Sequence, residues 1–221
     1  MTNPDSGSVT PLDPPLILAS GSPRRRELLA DLGIPFQVMV SKVEETITPQ
    51  LSPEAQAVAL AEQKVRDVAS RLESGIVLGA DTIVVLDGKL LGKPADDADA
   101  IAMLRLLSGR EHRVVTGIAI LDVPTGSMRS AAIASIVRFR SLSADDIAAY
   151  VASGEPRDKA GAYAIQGMGA DLVAELEGCY SNVVGLPLCE MARYLSEAGI
   201  SVSPAWPGCR LRNGAPCLRQ V

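Results

Sequence analysis

The chain has few aromatic residues, one histidine, no excess of basic charge and no long apolar run, and each shortage excludes a class of function. Aromatics make up 3% of its 221 residues, too few for the exposed rings on which single-stranded nucleic acid stacks its bases. Lys and Arg number 21 against 26 Asp and Glu, a net charge of −5, which is the wrong sign for a general DNA or RNA binder. A small phosphorylated ligand stays open, because it needs only a local basic pocket. No apolar run approaches the ~18 residues of a membrane span. Met1 to Pro15 is polar and proline-rich, without the apolar segment of a secretory signal. These features predict a soluble, cytoplasmic protein without a nucleic-acid or membrane partner.

Cys179, Cys189, Cys209 and Cys217 form no C-x-x-C pair, and His112 is remote from them in sequence. A zinc site is therefore not expected. Reduced thiols in an intracellular protein are the reading, with a disulfide in the C-terminal tail left open. Phosphate-binding and hydrolase signatures are missing too. Gly88 and Gly92-Lys93 have the wrong spacing for a P-loop, with Pro94 where Ser or Thr is required. Gly167 and Gly169 lack the third glycine of a dinucleotide fingerprint, and there is no G-x-S-x-G elbow. His112 has no nucleophile beside it in sequence and reads as a structural histidine.

What is present is material for one large domain. Hydrophobic residues make up 47% of the chain, enough for a sizeable core. The expected organisation is a disordered tail over residues 1–15, a domain over 16–203 and a C-terminal tail over 204–221. Strands are predicted at Leu16–Ala19, Phe36–Val40, Ile76–Leu86, Lys89–Leu91, His112–Leu121, Ser130–Arg140, Ala162–Gln166 and Leu172–Glu175. Helices are predicted from Pro23 to before Gly33, from Pro53 to about Leu72, from Asp96 through Leu107, from Ser143 to near Gly154 and from near Pro187 onward. Strands alternating with helices, with antiparallel hairpins in the middle, predict an α/β fold: a mixed sheet flanked by helices, with a cleft.

Chemistry gathers in three runs. In the first, Ser20-Gly21-Ser22-Pro23-Arg24-Arg25, Ser22 and Pro23 are placed to cap and open a helix. Helix N-termini attract anions. Arg24 and Arg25 are cations where the helix dipole prefers acids, an arrangement that makes sense if a triphosphate docks there and otherwise reads as solvated charge. In the second run, Asp81 interrupts the apolar strand Val77 to Val85. A buried carboxylate needs a partner, so Asp81 is either structural, bonded to nearby backbone N–H groups, or a general base or metal ligand at a sheet edge. Lys93 and Lys64 are candidate cations for the same cleft, and Glu44-Glu45 is an acidic pair. In the third, Glu155 to Gly167, small residues bracket groups able to hydrogen-bond. That composition suits a loop approaching a ligand with its backbone, and Gln166 can read a base edge with donor and acceptor together.

Taken in order, Ala19-Ser20-Gly21-Ser22-Pro23-Arg24-Arg25, Val43-Glu44-Glu45, Gly79-Ala80-Asp81-Thr82, Gly92-Lys93-Pro94, Leu107-Ser108-Gly109 with His112 and Thr116-Gly117, Asp158 to Gly167, and Val184 to Leu188 resemble the Maf family of nucleoside triphosphate pyrophosphatases. The resemblance covers roughly residues 16–198. It implies an inosine-triphosphate-pyrophosphatase-like fold, an elongated mixed sheet forming two lobes around a deep cleft. It also implies hydrolysis of a nucleoside triphosphate to the monophosphate and pyrophosphate with a divalent metal, Mg²⁺ usually and Mn²⁺ as an alternative, and a homodimer. Asp81 then matches the proton acceptor, and Arg24, Thr82 and Gln166 match positions associated with substrate choice. The Ser-Pro-Arg-Arg and Ile-Gln-Gly forms resemble the subgroup acting on dTTP and UTP. The residues themselves fit this chemistry: Asp81 as base, sharing a metal with Glu45, and Arg24, Arg25, Lys64 and Lys93 around the phosphates beside the Ser20–Ser22 turn. Two other readings stand beside it: a non-catalytic nucleotide-binding regulator of cell division, and a pyrophosphatase for modified nucleotides.

Overall fold

The apolar stretch that Asp81 interrupts becomes the central strand. Ile76–Leu86 (β3) is buried along almost its whole length in the computed structural model, which describes residues 14–202. A strand buried on both faces implies helices on both faces of its sheet. The other strands are β1 (Leu16–Leu18), β2 (Gln37–Val38), β4 (Lys89–Leu91), β5 (Glu111–Asp122), β6 (Met128–Phe139) and β7 (Val173–Glu177). The seven form one mixed sheet in the order β2-β1-β3-β5-β6-β7, with β4 also paired to β3. β1 runs parallel to both β2 and β3, and every other pairing is antiparallel. The β3–β4 turn places Asp87 at φ 50° and Gly88 at φ 76°, the two left-handed residues that a tight hairpin requires.

Helices start where side-chain caps predict. Ser22 and Ser52 cap α1 (Pro23–Ala30) and α2 (Pro53–Ala69), each with proline in its first turn, and Asp96 caps α3 (Asp97–Leu107). Ser143 and Asp146 form a reciprocal capping box for α4 (Ala144–Ala152), a substitution-sensitive feature typically worth about 1 kcal/mol. The chain ends its described part with α5 (Tyr180–Val184) and α6 (Leu188–Glu197).

Alternation along β3 and β5 divides the core. Val77, Ile83, Val115 and Ala119 meet α2 on one face. Leu78, Val84, Ile118 and Ile120 join the larger core built with the other helices. α2 lies unusually close to the sheet because two glycines clear its path. A Cβ on Gly117 would sit 2.2 Å from the Ala57 carbonyl carbon and oxygen, and one on Gly79 would sit 3.2 Å from the Ala61 oxygen.

The predicted strand at Ala162–Gln166 does not form. Gly161 and Ala162 take φ values of 69° and 58°, which turn the chain away from an extended path, and the Ala164 N–H donates to the Tyr150 hydroxyl at 3.0 Å instead of to a strand. Three short 3₁₀ turns, Glu155–Asp158, Ala160–Ala162 and Gly167–Leu172, occupy this region. α5 has no sequence-level counterpart, and the Phe36–Val40 strand shrinks to two residues. The expected tails lie outside the described residues apart from Pro14 and Pro15, as do Cys209 and Cys217. Cys179 and Cys189 are buried.

Candidate active site

The site sits at a gap in the sheet. β1 pairs with β3 only as far as Leu78, and β4 joins β3 only from Val84. Residues 79–83 therefore have a strand partner on the β5 side alone. Asp81 and Thr82, which alternate to opposite faces, both reach a cavity of about 390 Å³ at this gap. That is within the range of small-molecule sites.

Asp81 is 5% exposed, and its partner is a side chain rather than backbone N–H groups. Lys64, on the inward face of α2, donates to Asp81 Oδ1 at 2.6 Å and forms a second 2.6 Å ion pair with Glu45 Oε1. The close approach permitted by Gly79 and Gly117 is what brings Lys64 within reach. Burial works to raise the Glu45 pKa, but its bond to the Lys64 ammonium, aided by the fields of Lys93 and Arg25, carries it below the ordinary 4.5.

The first turn of α1 contains no acid, and the side chains of Arg24 and Arg25 diverge. Arg25 Nε donates to the Gly185 carbonyl at 2.8 Å, Nη2 to Thr82 Oγ1 at 3.0 Å and Nη1 to Ser20 Oγ at 3.4 Å. Burial lowers the pKa of its guanidinium, against the opposing pull of Asp81 and Glu45. Ser20 also accepts from the Ser22 N–H at 3.2 Å, and Ser22 Oγ accepts from the Arg25 N–H at 3.4 Å, so both serines shape the turn. Arg24 lies 4.0 Å from Asp158 across the cavity. Lys93 is exposed at the rim, and Gln166 lines the wall without capping the turn that follows it.

The structure thus brings Ser20, Ser22, Arg24, Arg25, Glu45, Lys64, Asp81, Thr82, Lys93 and Gln166 to one cavity. Lys159 also lines it and was missed as a site residue. Its ammonium donates to the Glu155 carbonyl at 2.6 Å and to Asp158 at 2.5 Å. The Glu155–Gly167 run contains Lys159, but composition alone does not show which of its side chains face the cavity. Tyr163, another wall residue, bonds His112 Nε2 through its hydroxyl at 2.6 Å, with Phe139 edge-on to both rings. His112 is thus buried behind the wall rather than facing the cavity.

Two carboxylates with a shared lysine, ringed by cations, form an arrangement that can hold a polyphosphate and deprotonate a water. Among the described residues, no three His, Cys, Asp or Glu side chains gather to hold a metal by themselves.

Comparison with known proteins gives the arrangement a lineage. The family model described as Maf-like protein matches residues 15–198. A protein of Moorella thermoacetica named dTTP/UTP pyrophosphatase is 52% identical over 187 residues, covering 85% of this chain and 96% of the relative. Proteins of the same name from Pelotomaculum thermopropionicum and Geobacter metallireducens are 49% and 50% identical, covering 85% and 83% of this chain and 98% and 96% of their own. With the match running through the strand, helix and loop that meet at Asp81, the chain belongs to the Maf-like protein family.

Proposed function

We propose that the protein hydrolyses nucleoside triphosphates, dTTP and UTP foremost, to the monophosphate and pyrophosphate. The observation that carries this is the buried Lys64 ammonium 2.6 Å from both Asp81 and Glu45, inside a cavity lined by Arg24, Arg25 and Lys93. The names and close similarity of the relatives support the choice of substrates.

Asp81 accepts the proton of an attacking water at Oδ2, the oxygen that Lys64 does not bond. The water oxygen bonds to the α-phosphorus while the bond to the bridging oxygen breaks, and pyrophosphate leaves with the electron pair. Arg24, Arg25 and Lys93 hold the phosphate chain and meet the charge that develops on the leaving group. Lys64 keeps the Asp81 carboxylate oriented through the bond to Oδ1. Gln166, on the wall, meets the base.

Glu45 and Asp81 suit a divalent metal, Mg²⁺ or Mn²⁺. Mg²⁺ commonly takes one or two carboxylates and completes its shell with water and substrate phosphates, in keeping with a pair of carboxylates that lacks a third protein ligand. When bound, the ion neutralises charge on the phosphate oxygens. The same reading expects a cytoplasmic homodimer that acts on free nucleotides.

The test is to incubate the protein and Mg²⁺ with dTTP, UTP, CTP, methylated GTP and inosine triphosphate, separating products by chromatography. Monophosphate and pyrophosphate from dTTP and UTP are expected. Nucleotide binding with no turnover of any of the five would overturn the proposal in favour of a nucleotide-sensing regulator. Preference for methylated GTP or inosine triphosphate would overturn the substrate assignment.

A further inference from the structure

A chain of hydrogen bonds runs from the cavity into the core, and its polarity is determined by chemistry. Arg25 can only donate, so Thr82 Oγ1 accepts from Arg25 Nη2 at 3.0 Å. At the other end a backbone carbonyl can only accept, so the Thr116 hydroxyl donates its one proton to the Asn182 oxygen at 2.9 Å. Between them the two threonine hydroxyls lie 2.9 Å apart. With the Thr116 proton committed, the bond between them is satisfied only if Thr82 donates to Thr116. Thr82 then has no proton left to offer a ligand and presents a lone pair to Arg25.

Thr116 is fully buried and does not line the cavity. It stands opposite Thr82 in the β3–β5 ladder, so the link is built into strand register. Arg25 is also held by Gly185 and Ser20, so three of its five N–H donors are engaged. The two that remain, one on each terminal nitrogen, form a fork whose direction depends on the Thr82 anchor. A phosphate needs such a fork correctly aimed.

Resting on the function proposed above, we propose that Thr116 is a positioning residue. By taking the Thr82 proton it makes Thr82 a fixed acceptor for Arg25, and so aims the free N–H donors of Arg25 at the triphosphate chain. Thr82 accordingly affects substrate handling through Arg25 and not as a donor to the base.

Thr116→Val, Thr116→Ser, Thr82→Val and the double valine variant test this. KM and kcat are measured for dTTP and UTP, and the Kd for inorganic triphosphate by calorimetry, with a melting curve for each variant. Thr116→Val should raise KM and the triphosphate Kd about tenfold, the scale of one lost oriented bond to a charged group. Thr116→Ser keeps the hydroxyl and should stay within about twofold of wild type. The double variant should be no worse than Thr82→Val, because the second change removes a link already broken. A folded Thr116→Val protein with wild-type KM and Kd, losses that multiply in the double variant, or failure of Thr116→Ser to preserve binding would each overturn the relay. If Thr116→Val does not fold, Thr116→Cys, with its weak thiol donor, takes its place. If the wild type hydrolyses neither nucleotide, the functional reading falls while the triphosphate Kd values still decide the relay.

Discussion

Lys64 and Asp81 come from different elements, α2 and β3, and meet at 2.6 Å with only 10% and 7% of their side chains exposed. Two charges held out of water are costly unless they satisfy each other, and removing one partner of such a pair typically costs about 3–5 kcal/mol. The pair exists because glycines at 79 and 117 let α2 approach the sheet. Packing and chemistry are therefore linked at this point.

Replacing Asp81 with Asn removes the proton acceptor but keeps the shape. Turnover of dTTP should fall roughly 10²–10⁴-fold, with the Kd for the nucleotide within a few-fold of wild type. Rapid-quench kinetics with calorimetry separates the two. Near-normal turnover would remove Asp81 from the role of base.

Lys64→Met leaves Glu45 and Asp81 without their shared cation. Glu45 then loses the bond that holds its pKa below 4.5, and a neighbouring carboxylate further disfavours its charge. The acidic limb of the pH–rate profile should move to higher pH. In the wild type, the contribution of Glu45 to stability is complete above its unfolded pKa and is lost as pH falls through its lower folded value. An unmoved acidic limb in Lys64→Met would mean that Glu45 does not govern it.

His112 gives a different pH signature. Burial pushes its pKa from 6.5 down to about 4, so the unfolded chain binds the proton more readily than the folded one. Stability contributed by the neutral imidazole is complete above pH 6.5 and declines as pH falls toward 4, by on the order of 3 kcal/mol. Melting temperatures across this window should drop for the wild type and flatten for His112→Gln. Parallel curves for the two proteins would show that His112 is not the titrating group.

Gly117→Ala should destabilise strongly, by about 3 kcal/mol or more, because the new Cβ meets backbone rather than a movable side chain. Gly92→Ala, with nothing within 4 Å of its added Cβ, is the matched control and should stay within about 0.5 kcal/mol. Urea denaturation of both measures the contrast. Equal stability would mean that α2 does not need its close seat.

Local chemistry was legible where a few neighbouring residues decide the outcome. The helices expected from Pro23, Pro53, Asp96 and Ser143 begin at those places, because Ser22, Ser52, Asp96 and Ser143 each bond within their own turn. The β3 strand follows its apolar run residue for residue. The Ala162–Gln166 segment misled because its small and apolar residues fit a strand pattern, while Gly161 and Ala162 take left-handed values that turn the chain at its start.

Most strands and helices, and the residues that start α1 to α4, followed from the amino-acid sequence, as did most of the charged residues that line the cavity. Sequence motifs also pointed to the family that comparison then established. Which of those residues meet was settled by the three-dimensional packing. It joined Lys64 to Asp81 and Glu45, set Arg25 apart from Arg24, and added Lys159 to the wall. The reason is one of range: a cap or a turn is settled within about four residues, whereas Lys64 and Asp81 are 17 apart and Thr116 and Asn182 are 66 apart. Such pairs come into bonding distance only when strand register and helix seating are set together.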